Sequence, residues 1–141
     1  MIRMLFAVDD SDESRHAVEV FLCQLDWYKE KPEIHLLNVQ PALRGDISSF
    51  LKAELIEQYH QDEAMKAIIP VKERLEKVGV TPKCHIVVGN AAHTIVRFAV
   101  EQGCQQIVMG SRALGTAGGW VLGSTVTRVL NQSSVPVLIM R

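Results

Sequence analysis

The stretch "VMGSRALGTAGGWVLGSTVTRVL", residues 108–130, decides the fold. An apolar run ends at Gly110, a loop with four more glycines follows, and helical spacing begins near Ser124. A strand that passes through a glycine-rich loop into a helix can cradle an anion, because the free N–H groups and the dipole of a helix N-terminus attract negative charge. The stretch therefore predicts a phosphate-binding turn between a strand and a helix.

Four other runs of strand length are apolar, like the run that ends at Gly110. Several are almost continuously apolar, which is typical of parallel strands covered on both faces. Segments with helical spacing separate them, so we predict one α/β domain over residues 1–141, with an open parallel five-stranded sheet and helices on both faces. The five predicted strands are residues 2–8, 33–39, 83–88, 105–109 and 136–140.

Helix boundaries can be read from capping residues. Asp10 or Ser11 can cap the first helix, and Asn90 can cap the helix that Gly103 closes. Helical spacing predicts which residues face the core in the first helix, in the helix after Asn90 and in the last helix. These residues are Ala17, Val20, Phe21 and Leu25; Ile95, Phe98 and Ala99; and Val126, Val129 and Leu130.

Two segments in the middle of the chain are less regular. Residues 51–78 have helical spacing, but they contain Pro70, which we expect to kink or divide the helix because proline lacks an amide donor and clashes with the preceding turn. Residues 40–50, "QPALRGDISSF", have no clear periodicity. They form either a flap near the ligand site or a surface connection.

The charge balance excludes several classes of partner. The 141 residues include 16 acidic and 15 basic ones, a formal net charge of −1, so we expect neither nucleic acid nor a membrane as a partner. The apolar N-terminal run is too short for a signal peptide or for the about 20 residues of a spanning helix. We therefore expect a cytoplasmic protein.

Cysteine and histidine give little sign of chemistry. Cys23, Cys84 and Cys104 are odd in number and form no CxxC pair, so we expect buried thiols in a reducing compartment. The five histidines lack metal-ligand spacing, which predicts no metal site of the protein's own. His93 has no evident partner and is expected at the surface or at a helix cap, and Trp120 either covers the site or folds back onto the core.

The expected strand order places the ligand site. A chain that runs outward through strands 1, 2 and 3 and returns beside strand 1 gives the order 3-2-1-4-5, and ligands bind where such an order reverses. Residues 7–10 would then lie opposite residues 109–112, beside the amides of residues 123–126 and the cation Arg112. Neither a P-loop nor a dinucleotide fingerprint is present, because the chain has no G-K-[ST] and no G-x-G-x-x-G.

Several segments together resemble the universal stress protein family. They are "MLFAVDDSDES", "LLNVQP", "VVGNAAHTIVRFA" and, most specifically, "IVMGSRALGTAGGWVLGSTVTRVLNQSSVPVLIM". The resemblance covers nearly the whole chain and implies the single-domain, Rossmann-like, ATP-binding type, with ATP or another adenine nucleotide as ligand and any Mg²⁺ carried by the nucleotide. It also implies a homodimer.

One position departs from the family's nucleotide loop, which has the form G-x2-G-x9-G-[ST]. On this chain the loop begins at Gly110 and ends at Gly123 and Ser124 with both spacings kept, but Ala113 replaces the second glycine. If that position needs a positive φ or bare backbone against phosphate, alanine weakens binding severalfold to about tenfold. At an ordinary φ it costs almost nothing.

The resemblance implies a set of nucleotide-binding residues in three groups. The first lies near the adenine and ribose, the second follows the ribose and phosphates, and the third donates to phosphate oxygens. In that order they are Ala7, Val8, Asp9 and Val39; Met109, Gly110, Arg112 and Ala113; and Gly123, Ser124, Thr125 and Val126. Asp9 and Ser124 each have a simpler alternative role, in which Asp9 only ends strand 1 and caps the next helix and Ser124 caps the last helix.

Three functions remain open from the sequence. The first is a cytoplasmic stress-response protein that binds an adenine nucleotide as a dimeric regulatory or sensing module, with no catalytic residue and at most slow ATP hydrolysis. The second is a dimeric interaction module with weak or no nucleotide binding and an unidentified protein partner. The third is a small hydrolase or phosphotransferase that uses Asp9 or Asp10.

The dimer would pair the edge strand that begins at Pro136, with a packed monomer as the alternative.

Overall fold

The computed structural model describes residues 1–111 and 122–141, apart from the side chain of Ser48. Strands and helices alternate along these residues. A short 3-10 turn, Leu25–Trp27, follows the first helix. The elements are β1 (Arg3–Ala7), α1 (Asp12–Cys23), β2 (Glu33–Gln40), α2 (Gly45–Ser48), α3 (Ala53–Lys77), β3 (Lys83–Val88), α4 (Ala91–Glu101), β4 (Gln106–Gly110), α5 (Ser124–Gln132) and β5 (Val137–Met140).

The five strands form one parallel sheet in the order β3-β2-β1-β4-β5. The predicted fold class and strand order are therefore confirmed. Ala7 of β1 pairs with Leu37 of β2, and Phe6 pairs with Val108 of β4, so both neighbours of β1 run in register with it to its carboxyl end. No helix in the described part of the chain has the length and hydropathy needed to cross a membrane.

Helices cover both faces of the sheet, which explains why its central strands are apolar throughout. Phe6 and the other even-numbered residues of β1 pack against α1 and α3, whereas Leu5 packs against α4 and α5. Phe6 meets Phe21 of α1 edge to face, with ring centroids 5.6 Å apart. The sheet therefore separates two apolar clusters, and both of its faces are covered. Polar groups are accessible at the strand ends.

Capping side chains fix the helix starts where the sequence predicts them. The Ser11 hydroxyl, one of the two candidates for α1, accepts a hydrogen bond from the backbone N–H of Ser14 at 3.1 Å. Asn90 does the same for α4, accepting from the N–H of His93 at 3.0 Å. Gly103 follows α4 with φ of +65°, the left-handed conformation that glycine adopts most easily.

The middle of the chain is more regular than the sequence pattern indicates, and the division considered at Pro70 is wrong. The helix α3 begins at Ala53 and continues through Pro70 without a division. Pro70 has no N–H to donate to the carbonyl of Lys66 one turn earlier. Both residues are exposed, so water can replace the missing donor. The irregular segment 40–50 is also partly helical, because it contains α2.

Some expected core residues lie elsewhere. Leu130 is 42% exposed, since the buried face of α5 runs through Val126 and Val129 and Leu130 lies on its outer flank. In α1 the predicted Ala17 and Phe21 are buried together with Val18, whereas Val20 is half-buried and packs against the edge of the same cluster. All three thiols are free, but only Cys104 is buried, because Cys23 ends α1 and Cys84 lies in the edge strand β3.

A polar cluster around the buried His35 lies near the amino ends of β1, β2 and β3, at the opposite edge of the sheet from the carboxyl ends. His35 is 4% exposed, and its Nε2 lies 2.8 Å from Oε1 of Glu33, while its Nδ1 lies 3.0 Å from Nε2 of His85. Hydrogen bonds from His35 and then Lys83 lower the pKa of the Glu33 carboxyl, which Arg3 also approaches at 3.3 Å. An ionised Glu33 only accepts, so His35 donates to it through Nε2–H, and Nδ1 of His35 shares a second hydrogen bond with Nε2 of His85.

This cluster makes stability depend on pH. Burial, and then repulsion by His35 and Lys83, lowers the pKa of His85 below its ordinary value. The unfolded chain therefore binds a proton at His85 before the folded chain does, and stability falls as the pH drops below about 6.5.

We expect the variant His85→Gln to lose less stability than the parent between neutral and mildly acidic pH, measured by urea unfolding at several pH values. The exposed His16 gives the matched control His16→Gln, which should keep the parent's pH dependence. Parallel curves for the parent and His85→Gln would contradict this account.

Candidate functional site

A cavity of about 200 Å³ opens at the carboxyl ends of β1, β2 and β4, beside the first turns of α4 and α5. This is the point of strand-order reversal that the sequence predicts. Of the twelve proposed nucleotide-binding residues, nine line the cavity. They are Ala7, Val8, Asp9, Val39, Met109, Gly110, Gly123, Thr125 and Val126.

The other three predicted residues do not lie on the described wall. Ser124 is exposed at the first position of α5 and does not line the cavity. Arg112 and Ala113 lie outside the described residues, as does Trp120, so the structure gives no position for the expected cation or for the alanine in the nucleotide loop. Among the described lining residues none is basic, and the positive potential there comes from backbone N–H groups.

Six lining residues were not predicted from the sequence. Two are serines of the α1 cap, two belong to β2, and two belong to the first turns of α4. The "LLNVQP" and "GNAAH" segments could have indicated some of them, because residues at strand ends and helix starts meet at one edge of a parallel sheet. These residues are Ser11, Ser14, Leu37, Asn38, Ala91 and Ile95.

Hydrogen bonds tie the end of β1 to the start of α1. The backbone N–H of Asp9 donates to the Ser14 hydroxyl at 3.1 Å, and the Ser11 hydroxyl donates to Oδ1 of Asp9. Ser11, not Asp9, is the N-cap of α1, so the simpler role considered for Asp9 as a helix cap is wrong. The Asp9 carboxylate instead holds the cap residue and remains exposed at the cavity rim.

The backbone of β2 directs polar groups into the cavity. Alternate residues of a strand bond to opposite neighbours. Gln40 accepts from the N–H of Gly89 at 2.9 Å and so faces β3, whereas Leu37 accepts from the N–H of Val8 at 2.9 Å and so faces β1. Val39 faces the same way as Leu37, but β1 has ended, and no backbone hydrogen bond joins Val39 to Val8 in this described region. Its N–H and C=O therefore point toward the cavity.

Gly110 lets β4 lie close to α1. A Cβ at this position would lie 3.4 Å from the carbonyl oxygen of Glu13 and 3.5 Å from Cβ of Ala17. These are ordinary van der Waals distances, so a Cβ would touch α1 without a steric clash. The close packing brings the end of β4 beside the α1 cap and narrows the cavity from that side.

The start of α5 differs in one respect from the expectation. The N–H of Gly123 donates to the carbonyl of Ser111 at 3.1 Å, so it is engaged and is not free to bind an anion. Gly123 is also the N-cap, with no capping side chain, which excludes the capping role considered for Ser124. Thr127 is the first residue whose N–H bonds back to Gly123, at 3.0 Å. Across the described contacts, the amides of residues 124–126 have no partner.

His93 does not contribute its side chain to this cavity. It is exposed on α4, as expected for a surface residue, and only its backbone N–H takes part in the helix cap. Residues 1–111 and 122–141 contain no group of three or more His, Cys, Asp or Glu side chains that could hold a metal ion.

Comparison with known proteins identifies the class to which this fold and cavity belong. The model of the universal stress protein family matches residues 1–141, and the chain belongs to that family. Universal stress protein YxiE of Bacillus subtilis (strain 168) is 30% identical over 149 residues, covering 99% of this chain and 98% of the relative.

Solved structures of relatives have the same fold. The structure of MJ0577, a universal stress protein of Methanocaldococcus jannaschii, has a TM-score of 0.78 at 27% identity and covers 99% of this chain and 94% of its own. A universal stress protein from Archaeoglobus fulgidus in complex with dAMP has a TM-score of 0.67 at 20% identity, covering 100% of this chain and 98% of its own.

Proposed function

We propose that this protein binds ATP or a related adenine nucleotide in the crevice between β1 and β4 and acts as a dimeric regulatory or sensing module in the cytoplasm. One observation carries the proposal. A single cavity is lined by the outward-facing backbone of Val39 at one end and by the first turn of α5, with the unpartnered amides of residues 124–126, at the other. A nucleotide has a base and phosphates that match these two ends.

At the base end, the backbone of Val39 offers one donor and one acceptor on the same side of β2. The Watson–Crick edge of adenine carries an acceptor, N1, next to a donor, the 6-amino group. A 6-oxopurine carries the reverse pair. The proposed contacts are from Val39 N–H to N1 and from the 6-amino group to Val39 C=O, with Ala7, Leu37 and Ile95 as apolar walls.

At the phosphate end, the N-terminus of α5 supplies the attraction. Its unpartnered amides and its dipole favour an anion, and Gly123 has no side chain to obstruct the approach. Arg112 and Ala113 belong to the proposed phosphate loop, and Mg²⁺ would arrive with the nucleotide. The exposed carboxylate of Asp9 lies on the side where the ribose would bind.

The relative from Archaeoglobus fulgidus supports the choice of ligand class, because a protein of the same family and fold forms a complex with dAMP. Turnover is not part of the proposal. A binding module should show saturable nucleotide affinity with negligible hydrolysis, whereas a hydrolase should lose turnover but not folding on Asp9→Asn.

Titration calorimetry with ATP and Mg²⁺ tests the site directly. The parent should bind with a dissociation constant in the range of roughly tens of micromolar or tighter. Ala91 lines the cavity at the first position of α4, so Ala91→Phe should fill part of the base end and weaken binding by about tenfold or more. Ala53, at the first position of α3 in a separate groove, gives the matched control Ala53→Phe, which should bind like the parent.

Absence of saturable binding by the nucleotide-stripped parent would remove the proposal. Equal affinities for the parent and Ala91→Phe would place any nucleotide elsewhere on the protein. Circular dichroism of both phenylalanine variants would establish that each is folded.

The replacement of the loop glycine gives a second test in the same experiment. We expect Ala113→Gly to bind ATP no more than about tenfold tighter than the parent, because the α5 amides supply most of the attraction and a single strained residue costs on the order of 1 kcal/mol. A parent without detectable binding and a glycine variant that binds would favour the alternative, a dimeric interaction module whose nucleotide site is weakened.

The proposed dimer uses the outer edge of β5. This strand pairs with β4 on one side only, and its half-buried residues Val137, Leu138 and Ile139 lie at that edge. An open apolar edge can be covered by the same edge of a second copy, which gives an isologous interface. The family resemblance favours the same arrangement.

Sedimentation should give twice the 15.7 kDa mass of one chain. Ile139→Lys places a charge at the β5 edge and should shift the equilibrium to monomer. The matched control is Val88→Lys at the opposite edge strand β3, where Val88 is 47% exposed, and it should remain dimeric. A monomeric parent, or dissociation by Val88→Lys instead, would contradict the β5 interface.

A further inference from the structure

The buried side chain of Asn38 occupies the place where the hydrogen-bond ladder between β1 and β2 stops. Asn38 is only 4% exposed. Its Nδ2 donates to the carbonyl of Val8 at 2.8 Å, and its Oδ1 accepts from Nε2 of Gln40 at 2.7 Å. The carbonyl of Val8 can only accept, so Nδ2 must be the atom that faces it, and the bond from Gln40 to Oδ1 agrees with that orientation.

Regular pairing predicts a different partner for the Val8 carbonyl. In a parallel ladder, the bond from Val8 N–H to Leu37 C=O would be followed by a bond from Val39 N–H to Val8 C=O. That second bond is not formed between these two described residues. The side-chain amide of Asn38 takes the place of the Val39 backbone amide, so the buried carbonyl is satisfied while β1 ends.

We propose that Asn38 is a positioning residue that sets the site's selectivity for 6-aminopurine nucleotides. By capping the Val8 carbonyl, it leaves both Val39 N–H and Val39 C=O free to read a base. This inference rests on the proposed nucleotide function. It goes further because it assigns base selectivity to a side chain that acts through the backbone groups of Val39.

The selectivity follows from the order of donor and acceptor on the base. With Val39 free, adenine can accept at N1 from the N–H and donate from its 6-amino group to the C=O. Hypoxanthine presents N1–H and O6 at these positions, so a donor faces the Val39 N–H and an acceptor faces the Val39 C=O. Without the Asn38 amide, Val39 N–H becomes the nearest donor for the buried Val8 carbonyl. The acceptor that remains, Val39 C=O, then distinguishes the two bases less well.

The experiment compares ATP with ITP by titration calorimetry, because the two nucleotides differ only at this edge of the base. The parent should prefer ATP by about tenfold or more. Asn38→Leu keeps a similar volume without the amide and should reduce the ATP-to-ITP affinity ratio by about tenfold. Gln40→Leu leaves Asn38 in place without its second partner and should give an intermediate ratio.

Controls separate positioning from general stability. Val71→Ala removes buried volume on α3 at a residue that does not line the cavity, and it should lower the unfolding midpoint while keeping the parent's ratio. If Asn38→Leu does not fold, the half-buried Gln40 still provides the test, since its loss loosens the Asn38 amide without removing it.

The outcomes distinguish this inference from the function on which it rests. A parent that binds neither nucleotide overturns both. A parent that prefers ATP, with an unchanged ratio in Asn38→Leu and Gln40→Leu, overturns the role of Asn38 and leaves the nucleotide function intact. Equal loss of ATP and ITP affinity in Asn38→Leu would also overturn it, because that result describes a side chain that only supports the fold.

Discussion

Parallel strands are joined by crossovers that are nearly always right-handed, and after β3 this chain crosses back to the open side of β1, where it adds β4 and then β5. Successive connections therefore leave the carboxyl ends of β1 and β4 in opposite directions. Within residues 1–111 and 122–141 the cavity lies between these two strand ends. The helix starts, the end of the β1–β2 ladder and the close contact of Gly110 with α1 all meet at this cavity.

Backbone groups supply the polar contacts proposed at both ends of the cavity. Val39 contributes an amide and a carbonyl, and α5 contributes the amides of its first turn, whereas Ser11, Ser14 and Asn38 mainly hold the backbone in place. Backbone groups are fixed by the fold and lose little freedom when they bind a ligand. A site of this kind tolerates many changes in side chains, because its geometry depends on strand ends and helix starts.

The fold was predictable because the sequence patterns agree at several levels. Apolar runs, caps and the glycine after α4 all favour the same alternation, and the structure has the predicted strand order. The errors arise where solvent or geometry overrides a local rule. Pro70 interrupts no helix because the hydrogen bond it removes is on the exposed side of α3, and Leu130 lies just beyond the narrow buried face of a nine-residue helix.

The candidate site was predictable in its location and less so in its contacts. Strand ends, the start of the last helix and the family resemblance together identified nine of the lining residues, but the engaged N–H of Gly123 and the amide of Asn38 depend on local hydrogen bonds that periodicity does not encode. The hydrogen bond between Gly123 and Ser111 has a wider effect. It fastens the N-cap of α5 to the residue that follows β4, so the start of the helix is anchored on the end of the strand. A change of sequence between these two anchored residues would therefore leave the sheet and the start of α5 in register with each other.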